Sequence, residues 1–230
     1  MIRRSQEFGF HIENLVRTLI HKAPIKKNDI SVHDISKEEN ALDPSETQSI
    51  KTTSGNQIDC GDVLRLYDYD YKEKHTMIVF CYAQEASKRR INRILELNMN
   101  EEFKNVLFGT VKREQIESLD TYVKSIPKNG KTKIHSDTYK KMAKALKLSS
   151  NGWISYAPKV DSKSQRRLQC SIRHLNEFLE KNSSLVLSDS SKCILRNIEF
   201  PSEHEGFEKR VRNTRVQQQE LDLSLNSLQI

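Results

Sequence analysis

Apolar residues recur along this chain with two periods, one helical and one strand-like, separated by short polar stretches. Phe8, Ile12, Leu15, Val16, Leu19 and Ile20 keep helical spacing, so residues 3–22 are expected to form an amphipathic helix, with Ser5 as its cap and Glu7 in its first turn. Glu13 falls on the flank of that stripe. Residues 63–69 alternate in part and are rich in β-formers. Residues 76–83 are a continuous apolar run, the pattern of a strand buried on both faces. The polar residues 70–75 between them read as a turn, which makes 56–88 a hairpin. Centring that turn near Lys72 and Glu73 sets Asp62 opposite the neighbourhood of Ala83, with Tyr82, Gln84 and Glu85 close by, and Asp59 a step further along, near Glu85 to Lys88.

The remaining segments give a similar mixture. Residues 23–56 hold Asp34, Glu38, Glu39, Asp43, Pro44 and Glu46 and read as a long exposed connector with a short strand near 50–53. Residues 92–99 and 104–111 are expected as strands around a turn at 100–103. Ile116, Leu119, Val123 and Ile126 share one face of a helix over 112–126, which Pro127 ends. A helix over 137–148, capped by Ser136 or Asp137, and a short strand at 153–157 follow. A helix is preferred over 164–181, with a strand at 167–172 as the alternative, and 193–200 reads as a last strand. The expected fold is therefore α/β or α+β, with a central mixed sheet of about five or six strands flanked by helices. It spans residues 1–200 as one domain, and 201–230 form a polar C-terminal tail.

Composition narrows the function. With seven glycines and five prolines in 230 residues, a loop-built β-sandwich is disfavoured. A net charge of +7 and a pI near 9.1 favour an acidic partner such as nucleic acid, with plain solubility as the bland alternative. Cys60, Cys81, Cys170 and Cys193 form no Cys-x-x-Cys pair, which argues against a zinc site. No apolar run reaches membrane-spanning length, so a cytoplasmic protein with no membrane partner is expected.

The order of a helix carrying Glu13, then Gly61-Asp62-Val63 opening a strand, then a buried strand ending in polar residues resembles the core of the PD-(D/E)XK nucleases, the class of many type II restriction endonucleases. The resemblance covers roughly residues 5–90. It implies a restriction-endonuclease-like fold and Mg²⁺-dependent, sequence-specific cleavage of double-stranded DNA, by a homodimer on a palindromic site. In that family an Asp at one strand's start and an acid on the next strand hold the metal, and a Lys two residues further on helps activate water. Asp62 matches the first position. The second position departs, because the expected register puts Tyr82-Ala83-Gln84 where Glu-x-Lys belongs. Gln84 then stands in for the Lys. With a bulge to re-aim them, Glu85 becomes the second metal ligand and Lys88 the amine. Glu13 is a metal-linked acid on this reading, and Asp70-Tyr71-Lys72 is a second placement of the Asp-x-Lys pattern. Arg89, Arg90, Lys163, Arg166 and Arg167 would hold neighbouring phosphates.

Two other readings use the same residues. Gly61-Asp62-Val63 followed by a charged loop and an apolar strand also resembles the MazF/PemK toxin ribonucleases, although His75-Thr76 stands where that family carries a basic residue and Pro. A basic domain that binds nucleic acid without cutting it is the third, with Asp62 merely opening a strand.

Overall fold

The computed structural model of this chain describes residues 4–26, 33–127, 130–160 and 166–207. Helix α1, Arg4–Leu19, is followed after a connector by strand β1, Glu46–Thr53, and strand β2, Gln57–Asp62. A one-and-a-half-turn helix α2, Val63–Tyr67, leads to the long hairpin β3, Lys74–Glu85, and β4, Lys88–Asn98. Helices α3, Glu101–Phe108, α4, Arg113–Ser125, and α5, Lys133–Ser150, come next. Strands β5, Ile154–Val160, and β6, Arg166–Arg173, precede helix α6, Leu175–Lys181, and strand β7, Val186–Ser190. Three two-residue strands end the described chain: β8, Ile194–Leu195, β9, Ile198–Glu199, and β10, Glu203–His204.

The central sheet is mixed and flanked by helices. Its five strands run β1-β3-β4-β10, with β7 also on β4, and β1 lies parallel to β3 while the other pairs are antiparallel. A second, three-stranded antiparallel sheet, β2-β6-β5, stands beside it. Strand β3 is the spine, because Met77, Ile78, Val79 and Phe80 are all at most 1% exposed. Met77 and Val79 join the core under α3, α4 and α5, whereas Ile78 and Phe80 join the core under α1. Burial on both faces is why this segment reads as an unbroken apolar run.

The expected hairpin partner of β3 is corrected. Residues 63–69 do not form a strand, because Asp62 Oδ1 accepts the Arg65 amide at 2.9 Å and starts α2, with Val63 and Leu66 turned inward. Strand β2 consequently pairs with β6, and β3 pairs with β1 and β4. Residues 104–111 are likewise mostly helical: Asn100 Oδ1 accepts the Phe103 amide at 3.0 Å, and Phe103 and Leu107 face the core one turn apart in α3. The preferred helix over 164–181 splits into β6 and α6, with Leu168, Cys170 and Ile172 alternating into the core. Helix α5 starts earlier than expected, with Thr132 as its cap. Of the expected tail, residues 201–207 are described, and Glu203 and His204 pair with Arg90 and Arg89 of β4. No helix of the described residues is long and apolar enough to cross a membrane.

Candidate functional site

A cleft of about 430 Å³ opens at the edge of β1, where the two sheets part. Helix α1 supplies one wall through Gln6, Gly9, Phe10 and Glu13, which sit on the helical stripe next to the buried one of Phe8, Ile12 and Val16. The edge of β1 supplies Ser49 and Lys51, and the opposite wall holds Asp59, Asp62 and Gln169.

Asp34 reaches this cleft from the connector. Gln48 exchanges main-chain hydrogen bonds with Ile35, at 2.9 and 3.1 Å, so the connector briefly adds to the edge of β1. The next free amide on that edge belongs to Ile50, and Asp34 Oδ2 accepts it at 2.6 Å. The same oxygen lies 3.4 Å from Lys51 Nζ. Arg17, a buried residue of α1, locks the connector down by donating to the Asp34 carbonyl and pairing with Glu39 at 3.0 Å. Helix, connector and strand thus converge on one acid and one amine.

Glu13 faces this pair. Burial, and then the charge of Asp34, push its carboxyl up to about 7, against the smaller pull of Lys51 and Arg17. A carboxyl poised near neutrality, a second carboxylate and an amine in one cleft form a constellation suited to proton transfer and to binding a hard cation. The floor is neutral. His75 is held down to about 3 by burial, and its Nδ1 lies 2.6 Å from Thr47 Oγ1.

The opposite wall depends on a bulge. Asp59 and Asp62 are three residues apart, which in a regular strand would put them on opposite faces. The register slips between Asp59 and Gly61, and Gly61 takes a φ of +80°. Asp59 then pairs with Ser171 and Asp62 with Gln169, so both acids share the face that meets the cleft.

The expected constellation around Asp62 is not formed. Gln84, Glu85 and Lys88 lie at the far end of the β3–β4 hairpin, seven positions or roughly 23 Å along β3 from Met77 in the cleft floor. There Gln84 donates to the Phe207 and Ala86 carbonyls, at 2.8 and 3.1 Å, and accepts from Arg89 at 2.9 Å. Glu85 pairs with Arg90 at 2.8 Å, and Lys88 with Glu203 at 3.0 Å. The Arg89 guanidinium is buried over the Phe8 and Tyr82 rings, at 4.7 and 4.8 Å, so its charge is spent on packing. The metal pair of Asp62 and Glu85 is therefore corrected, because α2 sends β2 to a different sheet from β3. Of the five expected catalytic residues, Asp62 and Glu13 reach the cleft. Asp70 closes a local turn onto the Lys72 amide at 3.1 Å. Arg166 donates to the Ile126 and Pro127 carbonyls, at 2.8 and 2.7 Å, while Arg167 is exposed. Lys163 lies outside the described residues.

Asp34 and Lys51 were not singled out by sequence reading. The one available signal is Ser49-Ile50-Lys51, an alternation that makes Lys51 a strand residue with its amine off the core side. Among the described residues, no group of three or more His, Cys, Asp or Glu side chains lies close enough to hold a metal ion by itself. Compared with known proteins, the chain matches no family model, no curated protein and no solved structure.

Proposed function

We propose that this chain is a Mg²⁺-dependent endonuclease of double-stranded DNA, of restriction type. The observation that carries the reading is the meeting of Glu13, Asp34 and Lys51 in one cleft at the edge of β1. Mg²⁺ is held by one or two carboxylates together with waters and substrate phosphates, and needs no protein cage of three acids. Glu13 and Asp34 fit that role, since the charge of Asp34 adds to the cost of ionising Glu13 and a cation held by both would offset it. When bound, Mg²⁺ supplies charge neutralisation at the scissile phosphate and a more acidic coordinated water. Lys51 adds a fixed positive charge where negative charge develops on the phosphate oxygens, and Asp34 holds that amine in place. Glu13, ionised above about pH 7, accepts a proton from the attacking water or completes the cation's oxygen set. Asp59 and Asp62 extend the acidic wall. The fold proposed for this chemistry is a variant of the restriction-endonuclease type, working in the cytoplasm as a homodimer, because two cuts at a two-fold site call for two copies.

Incubating the protein with plasmid DNA and with RNA, in Mg²⁺ or in EDTA, tests this. Discrete DNA fragments that disappear in EDTA and with Asp34→Asn or Lys51→Met are expected. RNA cutting in EDTA would favour the toxin-ribonuclease reading instead. Retarded but uncut DNA with the wild-type chain under every condition would leave a binding domain.

A further inference from the structure

The second sheet, β2-β6-β5, has one face covered and one face open. Ile58, Leu168, Cys170, Ile172 and Ile154 point into the core beneath α4 and α5. The alternate residues point the other way. On β6 these are Arg167, Gln169, Ser171 and Arg173. Beside them stand Lys159, Ala157 and Ser155 on β5, and Asp62, Asp59 and Gln57 on β2. The middle of this face is small and polar, and it runs directly into the cleft through Asp59, Asp62 and Gln169. Its ends are basic. Lys159 and Arg167 are direct neighbours at one end, and Arg173 lies at the other. All three are exposed, and none forms an ion pair with a described residue.

We infer that this open face is the surface on which a DNA duplex lies, with its phosphate backbone running from Lys159 and Arg167 past the cleft to Arg173. The inference rests on the proposed function for the choice of DNA as occupant. Charge complementarity supports it, because the two basic ends flank the acidic cleft where the cation would meet the scissile phosphate. Scale supports it as well. Six strand positions from Arg167 to Arg173 span roughly 20 Å, and a duplex rising 3.4 Å per pair covers that length in about six base pairs. Between the basic ends the side chains of half-buried Ser155 and Ala157 and of buried Ser171 are small, so none stands up from the sheet to keep a broad rod away. The surface also revises the expected phosphate contacts. Arg167 stays, Lys159 and Arg173 join it, and Arg166, Arg89 and Arg90 are occupied elsewhere.

Helix α5 provides an internal control. Lys140, Lys141 and Lys144 are also exposed, but they lie on the side of α5 away from the sheet, since Tyr139, Ala143 and Leu146 pack inward. Two triple variants with the same loss of charge can therefore be compared: Lys159→Ala/Arg167→Ala/Arg173→Ala, and Lys140→Ala/Lys141→Ala/Lys144→Ala. Binding of a fluorescent 20-base-pair duplex (roughly three times the length of the basic stripe) is measured in EDTA, from low to high salt, so that no cutting intervenes. The first variant is expected to weaken binding at least about tenfold at low salt and to flatten the log–log salt slope by roughly three, about 0.9 for each phosphate no longer neutralised. The second is expected to leave the slope near that of the wild type. Equal slopes for the two variants would overturn the inference, as would single-stranded RNA binding more tightly than the duplex through the same three residues. If the wild type never cuts DNA yet the slopes differ as stated, the nuclease reading fails and the surface stands. If Mg²⁺-dependent cutting holds and the slopes do not differ, the surface fails alone.

Discussion

The Asp34 carboxylate accepts the amide proton of Ile50 at 2.6 Å, across the edge of β1, and this bond fixes an acid beside Lys51. It has a structural and a chemical part that substitution can separate. Asparagine keeps an oxygen able to accept the same proton and loses the charge. Asp34→Asn is expected to unfold in urea within about 0.5 kcal/mol of the wild type while DNA cleavage falls by roughly a hundredfold or more. Asp34→Ala strands the Ile50 amide and is expected to cost about 1–3 kcal/mol as well. Full cleavage by the asparagine variant would remove Asp34 from the chemistry.

Lys51 makes weaker structural contacts, with its Nζ 3.1 Å from the Ile50 carbonyl and 3.4 Å from Asp34. Methionine keeps an unbranched stem of similar length and drops the amine. Lys51→Met should melt close to the wild type, and its kcat should fall by roughly 10²–10³, the range for losing one preorganised positive donor. A change confined to KM would assign Lys51 to binding alone.

Glu13 sets a pH dependence with a definite sign. Its folded-state carboxyl titrates at about 7, above its ordinary value of 4.5. Between those two pH values the folded chain holds a proton that the unfolded chain has lost, so stability falls as pH rises from about 4.5 to 7. With solvent reaching the cleft, the loss should be about 2 kcal/mol. Glu13→Gln is expected to abolish that slope, so that in EDTA it is more stable than the wild type at pH 8 and similar to it at pH 4. Parallel stability profiles for the two proteins would place the Glu13 titration elsewhere.

Much of the fold was legible where a segment was long enough to show its period. The apolar run at 76–83 lies within β3, and Ile116, Leu119 and Val123 turn inward from α4 as their spacing implies. Short elements misled for a physical reason. Helix α2 has five residues and α3 has eight, too few to repeat a 3.6-residue period convincingly, and their aromatic and aliphatic content matches strand preference equally well. Their caps, Asp62 and Asn100, carried the information instead. In β6, Leu168 and Ile172 are four apart and satisfy a helix and a strand alike, and pairing with β2 and β5 decides between them. At the site, Glu13 and Asp62 were legible as acids beside apolar runs. Asp34 was not, because it arrives through a connector and its position depends on Arg17 and on the free edge of β1.

Arg196 ties the ends of this architecture together. Its guanidinium grips both oxygens of Glu46, at 2.7 and 2.8 Å, and its Nε reaches Glu96 at 2.8 Å. Burial works to raise the Glu46 carboxyl, but Arg196, Thr76 and Gln48 outweigh it and hold the group near 2. The stability this contributes is present above about pH 4.5 and lost as pH falls toward 2. Arg196→Met leaves two buried carboxylates without their cation and should cost about 3–5 kcal/mol at pH 7. The gap to the wild type should narrow toward pH 3, as Glu46 protonates in the variant first. Adding Glu46→Gln should recover part of the loss, and urea unfolding at pH 7 and pH 3 reads all three proteins.

Gly61 carries the last prediction, because the acidic wall depends on its conformation. Its φ of +80° lies where a Cβ is disfavoured, and no atom stands within 4 Å of the position a Cβ would take. Any effect of substitution is therefore backbone strain and not collision. Alanine should cost about 1–2 kcal/mol, whereas asparagine, which tolerates positive φ better, should cost less. The strain can be relieved by undoing the bulge, which moves either Asp59 or Asp62 off the face that meets the cleft. Gly61→Ala is then expected to lose cleavage out of proportion to its stability, with Gly61→Asn between it and the wild type. If both variants melt lower in that order and cut DNA as the wild type does, the bulge serves folding only and the Asp59–Asp62 wall plays no part in the reaction.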